Sequence, residues 1–371
     1  MDEAFVDNSY TPTSKENRLK NGGCLSANEC FRATPVTNPR AAISRRVSVI
    51  GACVNEGQDW YHGVETAPRA FREAGLLDVI KSMSVEVVDG GDIEVNTFVK
   101  ASDGLPDSYY ACDLIKKGAV IGDACGRLHG AVMEHCQKGN FVLTLGGDHS
   151  VAAGTISAIK RCKKDIAVVW VDAHADCNTP LTSPSGNFHG MPVGLLLGWF
   201  EKKADRFAWI EEYLKSPLDE NRLAFVGLRD VDEAEKALLR KSKIVVYSMH
   251  EVERLGIAQV MEEVIAKVSP GGLRPIHLSF DIDGIDPIFA PGTGTRARGG
   301  LNYREARYIC TRLAETGALE SMDLVEVNPT IDVSDPVESD HGENPNVNSA
   351  ASMTVKLGID LIQFALGKTL V

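Results

Sequence analysis

The stretch IAVVWVDAHAD, residues 166–176, joins an apolar run to a cluster of Asp and His. The run is apolar at every position, so it reads as a strand buried on both faces, with its polar end exposed to ligand. Six further runs share this character: VSVIGA at 47–52, FVLTLGG at 141–147, RLAFVGLRD at 222–230, KIVVYS at 243–248, PIHLSFDID at 275–283 and MDLVEVNP at 322–329. Seven buried strands are therefore expected. Stretches of helical spacing lie between them, among them AVIGDACGRLHGAVMEHCQKG at 119–139 and REARYICTRLAET at 304–316. Alternating strands and helices predict an α/β fold, a three-layer α/β/α sandwich around a mostly parallel central sheet. Its ligands gather at the carboxyl ends of the strands.

Four runs end in GGDHS, DAHAD, GLRDVDEAE and DIDG. Alternation along a strand is expected to project Asp172, His174 and Asp176 together, and to set Asp281 beside Asp283, while His149 closes a third strand. Singly, such motifs usually cap helices or shape turns. Together they place four carboxylates and two imidazoles at neighbouring strand ends. Like charges at short range raise each other's pKa, and divalent cations relieve that repulsion. Two ions would balance four carboxylates, and a water between them would lose a proton readily enough to attack near neutral pH. Oxygen-rich ligation with a minority of imidazole favours Mn, although Zn, Ni or Co could displace it.

Composition bounds the partners. The net charge of -12 argues against nucleic acid or an anionic membrane and is compatible with a small cationic substrate. Nine scattered cysteines without CxxC spacing point to reduced thiols. No apolar run approaches the roughly 18 residues of a membrane span, and the start, Met-Asp-Glu-Ala, is unlike a signal peptide, so the cytoplasm is expected. Residues 1–46, rich in Asn, Ser, Thr and Pro, lack periodicity and read as a mobile extension to a domain spanning 47–371.

From about Val47 to Ala365 the chain resembles the arginases of the ureohydrolase family, through LGGDHS, DAHADCNTPLTSPSGNFHG, GLRDVDEAE, SFDIDGIDP and VEVNPT. The resemblance implies manganese-dependent hydrolysis of L-arginine to L-ornithine and urea. It makes His149, Asp172, His174, Asp176, Asp281 and Asp283 ligands of two Mn²⁺ ions, with Asp172 and Asp281 bridging. It assigns Asn178, Ser183, Ser185 and Asn187 to the substrate carboxylate, Asp232 and Glu235 to its ammonium group, and Thr295 to the substrate site. It makes His189 a proton shuttle, Glu326 the partner of the guanidinium, and Asp176 the donor of a proton to the departing amine. Gly57, Gly63, Val64, Glu65 and Pro68 match a family loop, read here as turn geometry and packing. Met191 and Cys177 depart from the usual residues, and the segment 331–346 looks expanded. A homotrimer is implied, with Arg304 and Glu305 between subunits; a helix-surface ion pair is the plain alternative. Two other readings stay open: a ureohydrolase acting on agmatine or guanidinobutyrate, and a silent arginine-binding protein of the same fold.

Overall fold

A computed structural model describes residues 46–59, 61–96, 114–200, 205–333 and 351–369. Eight strands are present among them: β1 (Val47–Cys53), β2 (Val87–Glu94), β3 (Phe141–Leu145), β4 (Ala167–Val171), β5 (Leu223–Leu228), β6 (Val245–Ser248), β7 (Ile276–Asp281) and β8 (Leu319–Val325). They form one sheet in the order β2-β1-β3-β8-β7-β4-β5-β6, parallel at every pairing.

Seven of these strands are the apolar runs, six of them buried; β6, an edge strand with Val246 exposed, is one correction and β2 is the other. Its sequence, VVDGGDIE, carries Gly and Asp, which are depleted in strands, and most of it is exposed. It is held by backbone pairing to β1 alone, as an edge strand, so no apolar signal marks it.

Side chains alternate across the sheet and pack under helices on both faces. On one face Val49, Leu143, Val169 and Leu278 meet Phe71, Ile80, Val264, Ile309 and Ile359, contributed by five different helices. On the other, Trp170 and Phe225 meet Cys125 and Ile156, while Val142 meets Leu128 and Ala158. Burying both faces is what a parallel sheet with crossover helices requires, and it confirms the three-layer sandwich. The two stretches read as helical form Gly118–Gln137 and Tyr303–Glu315. The second starts at Asn302, whose side chain accepts from the Glu305 N–H while Glu305 accepts from the Asn302 N–H. Such a capping box contributes about 1 kcal/mol and commits Glu305 to its own helix.

The fold also corrects how the acids converge. β4 stops at Val171, so alternation does not carry Asp172, His174 and Asp176 to one side. Instead the chain turns beyond its last ladder bond, in which the Asp172 N–H donates to the Val226 carbonyl, and Asp176 adopts a left-handed φ of 48°. Asp283 likewise lies in a 3-10 turn, Ile282–Gly284, capped by Asp281, and His149 opens another, His149–Val151, capped by Asp148. Non-glycine residues in the left-handed region are strained, and here the strain sits in a ligand turn.

Candidate metal centre and substrate cleft

His149 Nδ1 stands 3.1 Å from one oxygen each of Asp172, Asp176 and Asp281. It is buried and forms no hydrogen bond with any of them. A single N–H cannot serve three acceptors, so the geometry is that of four donor atoms facing a common point. Separations of 3.1 Å match the edges of a coordination shell with bonds of roughly 2.1–2.2 Å. The second cluster is His174 Nδ1, 3.3 Å from Asp172 and 3.1 Å from Asp283. Asp172 belongs to both, turning Oδ2 to His149 and Oδ1 to His174. Asp281 turns Oδ2 to His149, and its Oδ1 accepts the Asp283 N–H at 2.8 Å. These residues fit a pair of hard divalent ions.

Electrostatics agree. Burial works against a charge on His149, but its three carboxylate neighbours outweigh it and hold the imidazole well above its ordinary range. His174 is held up in the same way, against burial, by Asp283 and Asp172. Burial, then Asp283 and Asp172, push Asp281 well above the usual carboxylate range, and burial with Asp172 lifts Asp176 to about 6. Asp172 moves down despite burial, because both imidazoles face it.

Above the clusters opens a cleft of about 220 Å³. Asn178, Ser183, Ser185, His189, Asp232, Glu235, Thr295 and Glu326 all line it, as do Asp176, His174, Asp281 and Asp283. Ser183 and Ser185 accept the backbone N–H groups of Gly186 and Asn187 at 3.0 and 3.1 Å, and their hydroxyls lie 3.5 Å apart, so that one can donate to the other while the second faces an anion. Asn178 donates to Asp232 at 2.8 Å. Asp232 and Glu235 form a capping box on helix Glu233–Leu239, and Glu235 also accepts the Cys177 N–H. Burial, with Asp176 and Asp232 nearby, raises Glu235 to about 8. Asn187 is the exception: it is buried outside the cleft lining, and its Oδ1 has no hydrogen-bond partner.

Glu326 has a φ of 60° and is almost fully buried. Its Oε1 accepts the His149 N–H at 2.9 Å and lies 3.3 Å from His189 Nδ1. Burial opposes protonation of His189, but Glu326 prevails and the imidazole is raised to about 9.

Several residues here carried no site role in the sequence. Trp170 stacks on His149 with ring centroids 4.0 Å apart and donates to Asp172 Oδ2 at 2.9 Å. Ser279 bonds His149 Nε2 at 2.9 Å, which turns Nδ1 toward the carboxylates. Ser279 was the findable one, a polar residue facing inward within an apolar strand. Gly57, read as turn geometry, ties Asp148 to the cleft: its N–H donates to Asp148 at 2.7 Å and its carbonyl accepts the His189 N–H at 3.2 Å. A Cβ at Gly57 would lie 1.9 Å from Ser150 Oγ.

With this geometry in place, comparisons decide the family. The model of the Arginase family matches residues 45–364. The chain belongs to the arginase family. An arginase of Emericella nidulans is 43% identical over 334 residues, covering 88% of this chain and 95% of its own. Arginase-1 of Homo sapiens is 42% identical, covering 78% of this chain and 87% of its own. The solved arginase of Bacillus caldovelox superposes with a TM-score of 0.74 at 35% identity, covering 88% of this chain and all of its own. Membership of the arginase family makes this a hydrolase, and the two His/Asp clusters are groups that could hold metal ions. Among the described residues, no helix is long and apolar enough to cross a membrane.

Proposed function

We propose that this enzyme hydrolyses the guanidinium of L-arginine to give L-ornithine and urea, with two Mn²⁺ ions per subunit. The observation that carries the reading is one cleft lined by members of both His/Asp clusters, Asp176 of one and His174 and Asp283 of the other, together with hydroxyl and amide donors and further carboxylates. When bound, two such ions would supply Lewis-acid charge and an activated water nucleophile. His149, Asp172, Asp176 and Asp281 would hold one ion, and Asp172, His174 and Asp283 the other, with Asp281 shared between them as the family resemblance implies.

The protein's own residues do the rest. Glu326, braced by the His149 N–H, presents a carboxylate to the guanidinium and fixes its plane. Asp176 passes a proton to the departing amine, and His189, held by Glu326, exchanges protons with solvent. Asn178, Ser183 and Ser185 donate to the substrate carboxylate, and Asp232 with Glu235 attracts the ammonium group. Thr295, whose hydroxyl donates to Asp283 at 2.7 Å, lines the substrate side. Asn187 enters this set by family resemblance alone. The reading includes residues 47–371 as one catalytic domain preceded by an extension, and a homotrimer in the cytoplasm, with the exposed Arg304 as its intersubunit candidate.

The deciding assay is urea release after Mn²⁺ loading, with arginine and agmatine compared. Arginine turnover at least about 100-fold above that of agmatine is expected, since agmatine leaves the rim donors unpaired. Preference for agmatine, or no urea from either, would overturn the reading. Asn178→Ala should lower kcat/KM for arginine roughly tenfold while changing that for agmatine far less, because a lost hydrogen bond to a charged group costs about 1.5–3 kcal/mol. Equal losses on both substrates would remove Asn178 from carboxylate recognition.

A further inference from the structure

Arg229 follows β5 and is half-buried, its Nε is buried without a hydrogen-bond partner, and it makes no ion pair with the carboxylates of the two clusters. Its hydrogen bonds go to carbonyls. Nη2 donates to the carbonyls of Asp283 at 2.6 Å, Ala297 at 2.8 Å and Ile285 at 3.3 Å, while Nη1 donates to Gly284 at 3.1 Å and Gly227 at 3.4 Å. Its own backbone N–H donates to the Ala173 carbonyl at 2.9 Å, between Asp172 and His174. One residue therefore grips both turns that carry Asp172, His174 and Asp283. Between those turns the Ala173 N–H donates to Asp283 Oδ1 at 3.3 Å. The fit around the guanidinium is close: a Cβ on Gly300 would lie 2.6 Å from Nη2. The His149 side of the centre has different supports, the Trp170 stack and the Ser279 hydroxyl.

We infer that Arg229 is a positioning residue for one half of the metal centre: its planar fork fixes the turn that carries Asp283, while its backbone N–H, which any residue would supply, ties that point of the chain to the Ala173 carbonyl, and the His149 side keeps its other supports. The chemistry is geometric. A guanidinium offers donors in a rigid plane that can satisfy several carbonyls at once, whereas an ammonium is a point charge on a flexible stem. Arg229→Lys therefore keeps the positive charge and removes the fork. If charge alone mattered, the lysine variant would behave as wild type. If the fork matters, the Asp283 turn relaxes and the ion beside it is bound less tightly.

This inference rests on the two-ion reading, and the experiment separates their failures. Full-length wild type, Arg229→Lys and Gly300→Ala are stripped of metal, checked for a cooperative thermal transition, and titrated with Mn²⁺ by calorimetry and electron paramagnetic resonance. Wild type is expected to bind two ions with an exchange-coupled spectrum. Arg229→Lys is expected to keep one tight ion with an uncoupled signal and to bind the second on the order of 10- to 100-fold more weakly, the usual effect of losing an outer support. Gly300→Ala, whose Cβ would meet Arg229 Nη2 at 2.6 Å and the backbone of Asp286 and Ile285 at 2.6 and 2.7 Å, should perturb the same turn from its other side and weaken the same ion, and it is the second variant if the lysine one does not fold. Quenching of Trp170 fluorescence, isolated by subtracting the Trp170→Phe spectrum, should saturate with the tight ion in the variants and so place it beside His149. Two ions of undiminished affinity in the folded variants, or equal loss of both, overturns the inference. Fewer than two ions in wild type overturns the two-ion reading instead.

Discussion

Asp172→Asn is expected to abolish urea release, with a loss in kcat on the order of 10³-fold or more and with both ions bound weakly. The substitution preserves shape, so the expectation rests on how Asp172 spends its two oxygens. Oδ2 faces His149 and Oδ1 faces His174, so the amide must turn its NH₂ toward one cluster and cannot ligate there. The same oxygens also accept from Trp170 Nε1 and from the His174 N–H, at 2.9 and 2.7 Å. An NH₂ in either position would meet a donor instead of accepting from it. A buried, hydrogen-bonded charge lost in this way typically costs several kcal/mol, enough to scatter both clusters. Loss of an outer support costs only about 10- to 100-fold, and a shared ligand should exceed that. Asp230 provides the contrast. It lies 3.9 Å from His174 Nε2 but its side chain is 73% exposed, so Asp230→Asn should change kcat by no more than about threefold. Steady-state urea assays with metal content measured on the same samples check both. An Asp172→Asn enzyme retaining two ions and a tenth of its turnover would contradict a shared ligand.

That these six Asp and His residues come together was legible in the sequence, because each follows an apolar run, and parallel strands bring such ends together whatever the intervening loops do. How the ligands converge was not legible. DAHAD read as a continuing strand, whereas the convergence depends on the left-handed backbone of Asp176, which no side-chain pattern announces. β2 escaped for the opposite reason, since backbone pairing to β1 outweighs an unfavourable, exposed sequence. Supports such as Trp170 and Arg229 were hidden by their ordinary readings. A Trp in an apolar strand is core, and indeed it is core, but its indole N–H also reaches Asp172. Arg229 satisfies backbone carbonyls of residues 283, 284, 285 and 297, contacts with no signature in local sequence. Glu305 shows that one residue can match a family position and still be spent on its own helix cap.

Removing the metal should lower the melting temperature by on the order of 10 °C or more, and by a larger amount at pH 9 than at pH 6. Binding at about 1,000 times Kd stabilises the folded chain by about 4 kcal/mol per site, and 1 kcal/mol shifts the melting temperature of a large domain by about 2–4 °C. The pH dependence follows from groups whose folded values are raised. Burial with Asp172 lifts Asp176 to about 6, burial with Glu326 lifts Asp148 to about 7, burial with Asp176 and Asp232 lifts Glu235 to about 8, and Glu326, against burial, lifts His189 to about 9. A group raised on folding contributes stability that is full below its unfolded pKa and is lost as pH climbs through its folded value. His149, His174 and Asp281, all raised well above their ordinary ranges, act in the same direction. Asp172 is lowered, so its contribution is complete at neutral pH and fades only in acid. Between pH 6 and pH 9 the metal-free protein therefore loses protons that had been holding its acids together. Bound cations replace those protons with charge that does not titrate away, and their binding strengthens as the competing protons leave. Calorimetric melts with and without a chelator across that range give the comparison. A melting difference that shrinks toward pH 9 would mean that the clusters are held by something other than exchangeable positive charge.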